Sequence, residues 1–311
     1  MDPQALTIWR GTLLLIAAAE CSMQTGAAYW QASFRPQTIP GFYGMIAQSL
    51  AATLVLGAAG LIALWRFLGS RASLAAGLIA MACMKIAGET FARVFAVHHQ
   101  DFYQGGAMVA GVLLGEAYAR VVGISPDRGL AEKLEAQRFG MTGALGMLAG
   151  SYMAAGASKL LTGGFGWMTS STIRLMILSH GEVEGTPWSQ AIPQWTAAHP
   201  HTCMALEVGT LIIQLGAFML IVGPRLRRLW ASLIVAFHAG IYLTSHILFV
   251  SPMIFAAVVA LPWARLLPRR SADAEDLGEV RQDADRRATR PVALALLALG
   301  EMVVLRLAAG W

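Results

Sequence analysis

Long apolar runs, separated by short polar stretches, make up most of this chain of 311 residues. Most runs hold about 20 residues, which as a helix is long enough to cross roughly 30 Å of hydrocarbon. Backbone groups in lipid must find partners within their own segment, so the runs predict helices. The predicted helices lie at 6–30, 42–68, 72–97, 104–122, 139–161, 203–222, 229–249, 253–267 and 291–311.

This pattern predicts an all-α fold, a polytopic membrane bundle of eight to nine transmembrane helices. Charged residues make up only 13% of the chain, against about 25% in a soluble domain. Residues 1–270 are expected to form the main transmembrane domain, 271–290 a charged cytoplasmic linker and 291–311 a C-terminal transmembrane helix. The long connection at 162–202 predicts a hairpin loop that caps the outer face of the bundle.

The positive charges indicate an orientation. The net charge of +5 comes from arginines grouped in short loops beside the apolar runs, which is where membrane insertion leaves them. They therefore predict a multi-pass cell membrane protein with a cytoplasmic N-terminus. The lipid bilayer is the expected partner, and no nucleic-acid motif is present.

Some charged residues lie inside the apolar runs and need partners there. Lys85, Glu89 and Arg93 follow one another at four-residue spacing, which predicts neutralising pairs on one helix face. Glu20 and Glu116 are expected to pair with Arg93 or Lys85. The three cysteines lack ligand or CxxC spacing, so we interpret them as packing residues and expect no metal site.

Lys159 is the first candidate for chemistry, because it lies at the outer end of the run at 139–161. Two interpretations stay open for it. Its stem could lie along lipid while the ammonium reaches the headgroups. Alternatively, partial burial disfavours the charged ammonium, which makes a neutral amine available as a base near neutral pH.

Glu207, His238 and His246 are polar residues in the runs that follow. Glu207 lies near a helix N-terminus, where a carboxylate is favoured, but it could also pair with Lys159 or orient a histidine. His238 and His246 are eight residues apart, about 12 Å along a helix, which is too far to chelate one ion alone. They are therefore either pocket residues or interior residues that hydrogen-bond neighbouring helices.

Six short motifs follow one another in the second half of the chain: Gly156–Leu160 (GASKL), Trp167, Leu206–Glu207, Phe237–His238, Ile247–Phe249 and Met253–Phe255. Their order and spacing resemble the HTTM domain, the membrane part of vitamin K-dependent gamma-glutamyl carboxylase and of short bacterial relatives, which implies a bacterial inner membrane. The similarity covers residues 152–262 best; earlier in the chain it rests on the helix count and on His98 and His99.

The resemblance implies a function. In the carboxylase, the lysine of the matching segment is the proposed base that deprotonates reduced vitamin K, assisted by a histidine on an earlier helix. By position these are Lys159 and either His98 or His99, and the cofactor class is a quinone or hydroquinone of menaquinone, ubiquinone or vitamin K type. The expected lipid-side pocket contains Trp167, Glu207, His238, Tyr242 and His246.

Three hypotheses follow. The first is a carboxylase-like lyase or another hydroquinone-deprotonating enzyme. The second is a non-catalytic quinone-binding membrane anchor or electron-transfer subunit of a redox complex, and the third is a purely structural bundle. The carboxylase continues into a large lumenal domain, whereas here about 20 linker residues and one helix follow. An enzyme of this kind is therefore expected to need a membrane or periplasmic redox or substrate protein as partner.

Overall fold

The structure, a computed structural model, describes residues 3–34, 41–71, 73–95, 104–169, 172–181, 187–247 and 249–266. The described chain is all-helical, with helix over 92% of it and no strand. His98, His99, the predicted linker at 271–290 and the predicted last helix at 291–311 lie outside these residues.

The helices begin and end as follows. In the first half they are α1 (Pro3–Phe34), α2 (Phe42–Gln48), α3 (Leu50–Leu64), a π-helical segment (Trp65–Arg71), α4 (Leu74–Phe95), α5 (Gln104–Val121) and α6 (Leu130–Gly163). A 3₁₀ segment (Gly164–Thr169) then leads to α7 (Thr172–Gly181), α8 (Pro187–Ala198), α9 (Pro200–Leu215), a 3₁₀ turn (Gly216–Phe218), α10 (Met219–Val222), α11 (Pro224–Ser245), α12 (Val250–Ala260) and α13 (Trp263–Leu266).

Four helical stretches among the described residues are long and apolar enough to cross a membrane: Pro3–Ser33, Leu50–Gly69, Leu74–Phe95 and Pro200–Val222. They match the predicted runs at 6–30, 42–68, 72–97 and 203–222. One of these runs differs from its prediction. The run at 42–68 is broken at Ser49, whose hydroxyl accepts the Ala52 N–H at 3.2 Å and thereby caps α3.

Two further predicted runs differ at their ends. The run predicted at 139–161 begins earlier, as part of one continuous helix over residues 130–163, because nothing between Leu130 and Gly163 is a proline. The run at 253–267 is divided by Pro262. Helix α12, with 11 residues, is about 16 Å long, roughly half of the hydrocarbon thickness.

The described residues form two compact units: unit 1 comprises residues up to 147 together with 262–266, and unit 2 comprises 148–261. In unit 1, α1 packs against α2, α3, α4 and α5. Glycines bring α5 and α6 together, since a Cβ on Gly111 would lie 2.6 Å from the Gly143 carbonyl carbon. Only residues without a side chain permit two helix backbones to approach this closely.

The charged residues of unit 1 are partly paired as predicted. Lys85 donates to Glu89 at 2.6 Å, and Arg93 lies 3.9 Å from the other Glu89 oxygen. The predicted partner of Glu116 was wrong, because Glu116 pairs with the buried Arg10. The Glu20 carboxylate accepts the N–H of Gly105 at 3.0 and 3.1 Å, at the start of α5, where a helix N-terminus favours negative charge.

Candidate functional site

The candidate site lies in unit 2, along one face of α6. Tyr152 and Lys159 are seven residues apart, so they point in nearly the same direction two turns from each other. Between them, Gly156 has no side chain, and α9 packs closely against it: a Cβ there would lie 3.1 Å from the Gln214 Cβ and 3.0 Å from Leu215. This close approach places side chains of α9 beside Lys159.

The Lys159 amine is held by neutral groups. Its Nζ donates to the Gln214 side-chain oxygen at 3.1 Å and to the Ala155 carbonyl at 3.4 Å, and it lies 5.6 Å from the centre of the Trp167 ring. Lys159 itself is half-buried. Across the ranges that the structure describes, its amine has no carboxylate within 4.0 Å. An ammonium here is stabilised by an amide dipole and an aromatic ring, not by a counter-ion.

His238 lies in the middle of α11, almost fully buried, and its Nε2 forms a hydrogen bond with the Tyr152 hydroxyl. The rings of Phe237 and Phe249 lie 5.1 and 4.9 Å from the imidazole ring. The second ring nitrogen, Nδ1, is buried and has no hydrogen-bond partner among the described residues. Buried nitrogens are rarely left unpaired, so this one can bind a further polar group.

Tyr242 and His246 lie further along α11, at its C-terminal end. Their rings meet edge to face at 6.2 Å. His246 adopts a left-handed conformation with φ of 56° and ends α11, and its N–H donates to the Tyr242 carbonyl at 2.9 Å. The His246 Nε2 atom is buried and, within the described part of the chain, has no partner.

Glu207, on α9, is fully buried and holds the start of α7. Its Oε1 accepts the backbone N–H of Ile173, in the first turn of α7, at 3.2 Å. Its Oε2 is buried without a partner in the described ranges. Glu207 therefore stabilises the N-terminus of α7. Among the described residues, Glu207 forms no ion pair with Lys159.

An apolar groove of about 260 Å³ lies between α7, α9 and α11 in the same unit. Its only side-chain hydroxyls belong to Thr210 and Thr244, and both are satisfied by carbonyls of their own helices. Gly209 and Gly240 face open space, since a Cβ on either would meet nothing within 4 Å. The groove therefore offers hydrocarbon contacts and no free hydrogen-bonding side chain.

The structure thus joins the predicted residues in pairs. Lys159 meets Trp167, Tyr242 meets His246, and His238 meets Tyr152 on the same face of α6 as Lys159. The contact of Gln214 with Lys159 was not predicted, although an amide inside an otherwise apolar helix is typical of an interhelical contact. No protein-family model, curated protein or solved structure matches this chain.

Proposed function

We propose that this chain is an HTTM-type membrane protein that binds a reduced quinone or a related isoprenoid lipid in unit 2, with Lys159 as the base. The single observation that carries the proposal is the Lys159 amine, which contacts Gln214 and Trp167 and no described carboxylate. A lysine that is paired with a carboxylate is typical of a structural ion pair. A lysine whose amine contacts only an amide oxygen and an aromatic ring has no such counter-ion, and it is available to exchange a proton.

The proton transfer is simple to write. A bound hydroquinone supplies a weakly acidic hydroxyl. The lone pair of Lys159 Nζ takes that proton, and the resulting ammonium is stabilised by the Gln214 oxygen and by the face of the Trp167 ring.

The groove supports the lipid part of the proposal. Its lining is made of small and aliphatic side chains together with Met176 and Phe237, and 260 Å³ is about the volume of ten methylene groups, taking ~27 Å³ for each. A chain of this size is comparable with two isoprene units. Ile213 of the groove directly precedes Gln214 along α9, so α9 both lines the groove and contacts the Lys159 amine of α6.

The second candidate is a non-catalytic quinone-binding anchor or electron-transfer subunit. The groove alone favours it, because an apolar groove binds a lipid tail whether or not a base is present. In this reading Lys159 and Gln214 form an interhelical hydrogen bond and do no chemistry.

For topology, we propose eight to nine crossings in a bacterial inner membrane with a cytoplasmic N-terminus. Helices α5, α6 and α11 are long enough to raise the four candidate spans to seven, and the predicted helices at 253–267 and 291–311 would supply the remaining one or two. The proposal is supported by the basic residues at 224–228, which begin α11. Accessibility of single cysteines introduced into the loops, measured from each side of sealed vesicles, tests it.

The test of the base uses a soluble menahydroquinone analogue under anaerobic conditions with the purified protein. Ultraviolet absorption reports the ionised fraction of its hydroxyl, and a thermal shift reports binding. Wild-type protein should ionise the bound analogue at a pH where the free analogue stays neutral. Lys159→Ala and Lys159→Arg should bind it and lose the ionisation, whereas Lys85→Ala, which removes a lysine paired with Glu89, should retain both.

The outcomes separate the candidates. Binding without ionisation in the wild type rejects the base and favours the anchor. Ionisation that survives Lys159→Ala rejects Lys159 in particular. If the analogue and added menaquinone produce no thermal shift and no quinone is extracted with the protein, both quinone-binding candidates fail.

A further inference from the structure

Two cysteines of unit 1, Cys21 and Cys83, both lie beside Gly60, far along the chain from Lys159. Cys21 is on α1, Gly60 on α3 and Cys83 on α4. A Cβ on Gly60 would lie 2.9 Å from the Cys21 sulfur and 3.1 Å from the Cys83 Cβ. Since both distances start from one point, the Cys21 sulfur and the Cys83 Cβ are at most about 6 Å apart.

Neither thiol forms a disulfide or a hydrogen bond in the described part of the chain. Cys21 and Cys83 are both free and buried, and no hydrogen bond to either sulfur is present among the described residues. The third cysteine differs, because the Cys203 thiol donates to the Thr196 carbonyl at 3.3 Å. Cys203 therefore serves as an internal reference, a buried thiol that has a partner.

The depth of Cys21 and Cys83 along their helices limits which oxidants can reach them. The three helices that meet here are all among the four apolar enough to cross a membrane, and each contributes a residue near its middle. Hydrated oxidants are excluded from hydrocarbon at that depth. A thiol pair at this position can exchange electrons only with a molecule that dissolves in the bilayer.

We propose that Cys21 and Cys83 are a redox-active dithiol that closes to a reversible disulfide, with a membrane-dissolved quinone as the two-electron oxidant. Each thiol gives up one proton and one electron as the S–S bond forms. The two electrons and two protons convert the two quinone carbonyls to hydroxyls, which yields a hydroquinone. The disulfide links α1 to α4, and a dithiol reductant reverses it.

Gly60 is the residue that makes closure possible. A disulfide brings two Cβ atoms to about 3.8 Å, so the Cys21 and Cys83 side chains must close beside Gly60, where α1 and α4 pack against each other and against α3. A side chain at position 60 would occupy that space, because its Cβ would be closer to the Cys21 sulfur than Cβ atoms come in real structures. Gly57, one turn earlier, would meet only the Thr25 hydroxyl, at an ordinary 3.5 Å.

The experiment counts free thiols. The whole protein in lipid nanodiscs is treated with a fully substituted, short-tailed benzoquinone, unfolded in detergent, and labelled with a maleimide that adds a measurable mass. Wild-type protein should fall from three free thiols to one, stay monomeric, and return to three with dithiothreitol. Mass spectrometry should find the linked Cys21 and Cys83 peptides, and this measurement needs no variant that could misfold.

Variants then test the geometry. Cys21→Ser and Cys83→Ser should keep both remaining thiols after treatment. Gly60→Ala should slow closure at least tenfold, whereas Gly57→Ala should close at the wild-type rate. Three free thiols in treated wild type, closure with iodine but not with the quinone, or a link that involves Cys203 each overturn the proposal. Lys159→Ala should close normally, because this inference does not depend on the base.

Discussion

The sharpest test of the packing in unit 1 is Gly111→Ala. The new Cβ would lie 2.6 Å from the Gly143 carbonyl carbon and 2.7 Å from the Ala144 nitrogen. Both atoms are backbone, so no side-chain rotation relieves the overlap. Contact between such atoms is favourable near 3.5 Å, so α5 and α6 must separate locally by about 0.8 Å.

This separation has a calculable cost. Overpacking of this kind costs about 1–3 kcal/mol, and alanine regains up to ~1 kcal/mol of helix propensity over glycine. The overlaps at Gly111 are all with backbone atoms, so the cost should lie toward the upper end of this range. We therefore expect Gly111→Ala to lower the free energy of unfolding by about 2 kcal/mol. The assay is unfolding of the purified protein in mixed micelles by increasing amounts of sodium dodecyl sulfate, followed by circular dichroism.

The matched control is Gly106→Ala on the same helix. A Cβ at this position would contact only the end of the flexible Met84 side chain, at 3.7 Å. The higher helix propensity of alanine is then not offset by any steric overlap, so the free energy of unfolding should be unchanged or slightly higher. Equal unfolding curves for the two variants would refute the close helix contact between Gly111 and Gly143.

Three other predictions use the same unfolding assay or hydrogen exchange. Arg10→Ala should lower stability by about 3–5 kcal/mol, because it leaves the Glu116 charge buried without its partner; adding Glu116→Gln should recover part of the loss, and equal losses would contradict the ion pair. Tyr152→Phe should cost about 1–3 kcal/mol by leaving the His238 nitrogen unpaired, and an unchanged midpoint would show that their hydrogen bond is weak. Glu207→Leu should speed exchange of the first-turn amide of α7, whereas Glu207→Gln, which keeps an acceptor oxygen, should not; identical rates in both would exclude the contact.

The local part of the fold could be predicted from the sequence. The apolar runs at 6–30, 72–97 and 203–222 become helices because a membrane span is determined by a contiguous composition. The ion pairs of Glu89 with Lys85 and Arg93 could be predicted too, since residues four apart always share a helix face.

Contacts between distant residues could not be predicted. Arg10 and Glu116 are 106 residues apart, and nothing in the pattern distinguishes this arginine from one that marks a membrane interface. Gln214 is 55 residues from Lys159, and its role depends on the close approach of α9 to Gly156. Helix packing determines which of several chemically equivalent residues become partners. The pattern of residues along the sequence gives no information about that packing.

The π-helical segment Trp65–Arg71 shows that the number of residues matters here as well as their type. A π-helical turn holds one residue more than an α-helical turn, and Arg10 donates to the Phe67 and Leu68 carbonyls within it, at 2.9 and 3.2 Å. Deleting Arg66 would restore the ordinary α-helical winding and shift the Phe67 and Leu68 carbonyls relative to the Arg10 guanidinium that they now bind. Homologues of this chain should therefore tolerate substitution in this segment far better than a change in its length.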